Sequence, residues 1–202
     1  MSDHRKLAHL EEQLGDKLYQ ALISSDNTEA VRTFAATLVR SVYLTLIATV
    51  TVRPMAKFIA MEFFRVNTKK DAPVRISCLG NNFVKWFLGK TEERVDSEVS
   101  LRYHNLTSNS LDAPIIAELG GGEAKAETNL AEIAALMEKQ GHGESGPLLT
   151  NGFANIFYVR DTNGLLRAVY VGWLGGGWDV HANSGTGPIP WDAGSRVFSC
   201  DL

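Results

Sequence analysis

The chain has 202 residues, of which 45 % are apolar and 9 % aromatic, with 20 basic and 23 acidic side chains giving a net charge of −3. This is an ordinary globular balance that excludes disordered and fibrous classes. Lys69-Lys70 is too short a basic run to neutralise a stretch of duplex phosphates, so no DNA partner is expected.

Cys78 and Cys200 stand far apart and in no CxxC or Cys/His cluster, which predicts reduced thiols rather than a disulfide scaffold or a zinc module. The opening MSDHRKLAHLEEQLGD is charged and amphipathic and carries no apolar signal region. The most apolar window, SVYLTLIATVTV, spans 12 residues between Arg40 and Arg53, well short of a membrane-spanning helix. A cytoplasmic protein without membrane contact is expected.

In chain order, Leu7, Leu10, Leu14, Leu18 and Leu22 form one helical stripe. Asp26-Asn27-Thr28-Glu29 offers a new N-cap, and Ala30, Phe34 and Leu38 continue the stripe, so residues 4–39 read as a helical hairpin. From Ser41 the period changes to two: Val42, Leu44, Leu46, Ala48, Val50 and Val52 fall on one face of a strand. Lys57–Val66 and Val74–Leu79 read as further strands around the turn at 69–73, which suggests antiparallel pairing. Phe83, Trp86 and Phe87 have helical spacing, ended by Gly89. Val99–Asn105 and Ile115–Leu119 read as strands. Asn129 and Glu132 form a capping box that opens a helix through Leu130, Ile133, Leu136 and Met137 and stops at Gly141. Beyond it, 155–161, 165–174, 178–183 and 195–200 alternate apolar and polar residues, with the turn signal Thr162-Asn163-Gly164 after the first of them.

The fold class read from this pattern is α+β: an N-terminal helical hairpin, an antiparallel sheet with one further helix, and a C-terminal β-meander. Residues 1–202 form one domain, with 141–152 the best candidate sub-boundary and 153–202 the meander.

Few stretches carry chemical signatures. Gly141-His142-Gly143-Glu144-Ser145-Gly146 spells GxGxxG, but it follows a helix and runs into Pro147, the reverse of the strand-to-helix order a dinucleotide loop needs. His142 and Glu144 read as a solvated loop rather than metal ligands. Neither triple-glycine run continues as a P-loop, and HExxH, GxSxG and EF-hand patterns do not occur. No cofactor and no metal are expected.

The strongest candidate is VGWLGGGWDVHANS, residues 171–184. Pairing apolar with apolar sets Trp173 opposite Trp178, Val171 opposite Val180 and Val169 opposite Ala182 across a two- or four-residue loop with glycine at positive φ. Both tryptophans then face the core, and the reverse face carries Tyr170, Asp179, His181 and Asn183 around Gly172. Asp179 and His181 lie two apart on that face, close enough for a carboxylate to orient an imidazole. Trp191, after Pro188 and Pro190, is the tryptophan expected to be exposed. Tyr170, Asp179, His181, Asn183 and Trp191 are therefore the expected ligand- or partner-binding residues, with His181 and Asp179 the candidate catalytic pair.

The leading functional expectation is a non-catalytic binding or assembly module acting through a protein partner or self-association. The second is a small hydrolase or transferase using His181 with Asp179, and the third an RNA-binding regulator acting through exposed aromatics.

Overall fold

The computed structural model describes residues 43–93, 97–120, 122–183 and 189–200. The chain divides into two units at Val42/Tyr43. All described residues belong to the second unit, and the helical hairpin expected over residues 4–39 lies outside them.

Ten strands and five short helices are described. The strands are β1 (Leu44–Val52), β2 (Lys57–Ile59), β3 (Ile76–Leu79), β4 (Thr91–Glu93), β5 (Val99–Leu106), β6 (Glu127–Thr128), β7 (Asn155–Arg160), β8 (Leu166–Leu174), β9 (Gly177–Ala182) and β10 (Arg196–Cys200). The helices are α1 (Ala60–Phe63), α2 (Asn81–Trp86), α3 (Asp112–Glu118), α4 (Glu123–Ala126) and α5 (Leu130–Lys139). Eight strands form the main sheet in the order β1-β5-β10-β7-β8-β9-β3, with β6 on β7, while β2 and β4 make a separate ribbon.

The expected antiparallel sheet with a terminal meander is corrected here to a mixed α/β arrangement. β7, β8 and β9 do run as an antiparallel meander. β10 does not extend it: it inserts between β5 and β7, antiparallel to the first and parallel to the second. β3 lies parallel to β9, and β6 parallel to β7. The reason lies in β7, which is buried from Asn155 through Val159. Its residues alternate between two apolar clusters, Phe157 and Val159 in one, Ile156 and Tyr158 in the other. A strand buried on both faces needs neighbours along both edges to satisfy its backbone, and the meander supplies only β8.

Three further expectations change. The run 57–66 leaves the extended state at Ala60, because an extended chain would send Phe63 and Phe64 to opposite faces. The short α1 instead brings Phe58, Phe63 and Phe64 together, with ring centroids 5.0–6.0 Å apart. Residues 115–119 belong to α3 and its C-cap, where Ile115 and Leu119 share a helical face against the second cluster. β1 carries a bulge between Leu46 and Ala48. One extra residue exchanges the faces of a strand, so Leu44 packs in the second cluster and Val50 and Val52 in the first, rather than all on one side.

The capping box expected at Asn129 is present, with Glu132 accepting the Asn129 amide at 2.9 Å. The next two orphan amides of α5, Leu130 and Ala131, donate to the two carboxylate oxygens of Glu92 at 3.1 and 3.0 Å. α5 is buried continuously from Leu130 to Met137, packed in one cluster with Phe157, Val169 and Trp178 of the sheet and with Phe58, Phe64, Phe83 and Phe87. A helix buried on every face over two turns needs neighbours on all sides, which the sheet and the phenylalanines supply.

The tight turn at 161–165 is organised by Asp161. Its carboxylate accepts the Asn163 and Leu165 amides at 2.7 and 3.0 Å and Arg167 Nε at 2.7 Å. The Arg167 guanidinium in turn lies 4.0 Å from the centre of the Trp86 ring. Burial alone would push this carboxyl group up, but Arg167 and the two amides outweigh it and hold its pKa below the ordinary value. A depressed carboxyl pKa contributes stability that is present above the unfolded value, about 3.9, and is lost as pH falls through and below it. Asp161→Asn should therefore cost about 2–3 kcal/mol at neutral pH, less than a fully buried pair because Arg167 keeps some solvent. The gap between variant and parent in urea denaturation should close below about pH 4. A gap independent of pH would contradict the ion-pair account.

Candidate functional site

The hairpin β8–β9 positions the site. Gly175 and Gly176, with φ of 60° and 90°, form the two-residue turn; positive φ at both central positions is what a tight hairpin of the native twist demands. The register is the one expected: Trp173 opposite Trp178, Gly172 opposite Asp179, Val171 opposite Val180, Tyr170 opposite His181 and Val169 opposite Ala182. On the core side the two indoles meet edge to face, 5.3 Å apart at 76°. Trp178 is fully buried and donates Nε1–H to the Gln140 carbonyl at 2.9 Å.

The GHGESG loop folds around the same tryptophans. The Gln140 side chain donates to the carbonyls of Glu144 and Leu148 at 2.6 and 3.0 Å and accepts the Leu148 amide at 2.8 Å. A side chain at Gly143 would strike the Trp173 ring, and one at Gly146 would strike Gln140. These two glycines leave room for the Trp173 ring and the Gln140 side chain. His142 Nε2 lies 2.8 Å from the Ala72 carbonyl of the 69–73 turn, and the His142 amide donates to Glu144 within the loop.

The reverse face opens into a cleft of about 490 Å³ whose walls include Tyr170, His181, Asn183 and Trp191. Tyr170 and His181 stack 5.3 Å apart with planes 17° from parallel, and Trp191 meets Tyr170 edge-on at 5.1 Å and 74°. Gly80, Asn81 and Asn82 form the opposite wall. A Cβ at Gly80 would overlap the His181 imidazole, so a larger residue there would have to displace the ring. The Gly80 amide donates to the Val180 carbonyl at 2.8 Å and Asn82 Nδ2 to the Ala182 carbonyl at 3.3 Å, which ties this wall to β9. Ile189 and Pro190 also line the cleft.

Of the expected site residues, Tyr170, His181, Asn183 and Trp191 meet in this cleft. Asp179 does not join its lining: one rung nearer the turn, its carboxylate accepts the Ser77 hydroxyl at 2.6 Å. The imidazole lies on Tyr170 instead. Trp191 is half-buried rather than exposed, and its Nε1–H donates to Asp112 Oδ1 at 2.7 Å. The same oxygen accepts the hydroxyl of the buried Tyr158 at 3.1 Å. Burial, followed by the neighbouring Asp112 charge, pushes the Tyr158 phenol far up. Burial and then Asp179 raise that of Tyr170. Both phenols are therefore neutral O–H donors across the physiological range.

Among the described residues, no Lys, Arg, Asp or Glu lines the cleft and no cluster of three His, Cys, Asp or Glu is placed to hold a metal ion. Cys78 and Cys200 are not joined in a disulfide, the Cys200 thiol donates to the Glu127 carbonyl at 3.0 Å, and no described helix is long and apolar enough to cross a membrane. Comparison with protein families, with curated proteins and with solved structures finds no match to this chain. The functional reading therefore rests on the site's own geometry.

Sequence reasoning missed Gly80–Asn82 and Asp112. The first fall between the strand read at 74–79 and the helical spacing that starts at Phe83, where no motif marks them, and Asp112 was hidden by the reading of 115–119 as a strand. Tyr158→Phe should cost about 1 kcal/mol, one hydrogen bond. Asp112→Ala should cost more, because it leaves the buried phenol without an acceptor at a further penalty of about 1–3 kcal/mol. In Asp112→Ala the Trp191 contribution to fluorescence, isolated against Trp191→Phe, should shift to longer wavelength. An unshifted spectrum would show that Asp112 does not hold the indole.

Proposed function

We propose that this chain is a non-catalytic binding module acting through protein contacts, and that the Tyr170–His181–Trp191 cleft is its recognition surface. The observation that carries the reading is Ile189, at 74 % the most exposed large apolar side chain among the described residues. A single exposed apolar residue is unremarkable by itself. This one stands on the rim of an aromatic cleft whose described lining holds no Lys, Arg, Asp or Glu, beside the exposed Pro190. Aromatic enrichment and depletion of charge at the centre of a patch mark protein interfaces.

The hydrolase or transferase reading would need the Asp179 carboxylate to orient the His181 imidazole, whereas Ser77 engages that carboxylate and Tyr170 holds the ring. The RNA reading would be favoured by exposed aromatics interleaved with cations along the backbone path; the cleft offers rings but, among its described residues, no Lys or Arg.

The reading is tested by a photo-crosslinking side chain introduced at position 189 of the full chain in its native cells. Protein adducts should form there and disappear in a Tyr170→Ala background, with none from a control probe at exposed Leu174. Equal adducts from both probes, or adducts insensitive to Tyr170, would remove the cleft as the contact surface. Loss of a measurable enzymatic activity in His181→Ala at unchanged Tm would favour the catalytic alternative.

A further inference from the structure

We infer that a second, smaller pocket beside the cleft receives the ammonium group of a lysine side chain carried by the protein partner. The inference rests on the protein-contact reading above and names one chemical feature of that partner. The pocket, of about 90 Å³, is lined by Asp112, Ile116, Tyr158 and Asn183 and by Leu166–Ala168 of β8. It adjoins the cleft: Asn183 lines both, and Asp112 Oδ1 accepts the indole N–H of Trp191 on the cleft wall. The half-buried Asp112 carboxylate is bound by neutral donors alone. Oδ1 accepts both Trp191 Nε1–H and the Tyr158 hydroxyl, and among the described residues nothing donates to Oδ2. A carboxylate oxygen left without a partner in a partly desolvated pocket calls for a cationic donor. Arg167 does not supply it. Its guanidinium is paired with Asp161 at 2.7 Å and lies over the Trp86 ring, whereas Leu166 and Ala168 on either side of it pack in the second cluster, on the opposite face of the strand.

The same geometry selects an ammonium over a guanidinium. Arginine binds a carboxylate best through two parallel hydrogen bonds, one to each oxygen, and Oδ1 already holds two donors. An ammonium is a compact point charge with three rotatable donors. Asp112 Oδ2 accepts one of them. The Asn183 side-chain oxygen, on the same lining and bonded to no described residue, offers a second acceptor. Asn183 is held in place through its main chain, whose amide donates to the Ala168 carbonyl at 2.9 Å. Ile116, Leu166 and Ala168 belong to the second apolar cluster and form walls for a methylene stem, the way long cationic side chains bury their carbons beneath a polar head. A water's share of the liquid is about 30 Å³, so the pocket suits an ammonium with its terminal methylenes rather than a ring or a whole residue.

The test titrates the isotope-labelled full chain, followed by two-dimensional NMR, with a capped alanine peptide holding one central lysine. Matching peptides with acetyl-lysine or arginine in its place, and n-butylammonium chloride, serve as comparisons. The expected result is saturable binding of the lysine peptide, at least tenfold tighter than any comparison, with shifts of the Trp191 indole and Asn183 side-chain amide signals. Asp112→Asn keeps an acceptor for Trp191 and Tyr158 and should weaken that binding at least tenfold. Asn183→Asp adds a carboxylate to the lining and should tighten it, a gain that loss of fold cannot mimic. Lysine binding unchanged by both variants, or equal binding of the acetyl-lysine or arginine peptide, overturns the inference. Equal binding of n-butylammonium overturns the assignment of the ammonium to a protein side chain. If no lysine peptide binds while the probe at position 189 still captures protein in a Tyr170-dependent way, this inference fails and the protein-contact reading stands. Selective lysine binding without Tyr170-dependent capture removes the cleft as the contact surface and leaves the ammonium pocket.

Discussion

The last strand stitches the sheet together. β10 pairs with β5 over five residue pairs and with β7 over two, and it is the link between β1-β5 on one side and β7-β8-β9-β3 on the other. Its side chains serve both clusters, Val197 in one and Phe198 in the other, with Phe198 stacked between Phe157 at 4.5 Å and Tyr103 at 5.7 Å. Arg196 lies over the Tyr103 ring and donates to the Pro147 carbonyl and the Asn105 side chain. Strand pairing, both core clusters and the loop after α5 thus converge on five residues near the end of the chain.

That central position creates the cleft. β9 ends at Ala182 and β10 starts at Arg196, with β8 and β7 between them in the sheet. The connection must therefore cross about 14 Å, three strand spacings. Its described part is pinned to the segment after β5: Ser110 and Trp191 exchange backbone hydrogen bonds at 2.8 and 3.2 Å, the Ala193 amide donates to Asn109, and the Gly194 amide to the Leu106 carbonyl. Trp191 is fixed a second time by Asp112, and so is placed against Tyr170. The indole that walls the cleft is held there by the route the chain takes to complete its sheet.

What the sequence made legible follows the range of each interaction. The hairpin register could be read residue by residue because the turn is two glycines long and a slip would expose every apolar side chain of β9. The α5 capping box was legible for the same local reason. The parallel pairing of β3 with β9 joins residues about a hundred positions apart, and no periodicity marks it. The partner of Asp179 was hidden with it, since Ser77 is 102 residues distant in sequence. Alternation placed Asp179 and His181 on one face correctly and could not say which of them turns toward a neighbour. The β1 bulge is a different kind of failure: LTLIATVTV alternates as written, and only the two clusters on opposite faces of the sheet show why one extra residue must be absorbed.

Tyr170 stands where the packed core gives way to the cleft. On β7 and the adjoining part of β8, the face shared with Tyr170 is core: Tyr158 and Ala168 are buried in the cluster that contains Ile115 of α3. One rung along, Tyr170 packs against the same cluster and also lines the cleft, and its cross-strand partner His181 stands only half-buried. The face passes from core to open surface within the width of one strand, so Tyr170 is anchored in the core on one side and open to the cleft on the other. Under the protein-contact reading proposed above, a recognition residue anchored in this way loses little conformational freedom on binding, and restricting that loss is one of the main routes by which a preformed surface gains affinity.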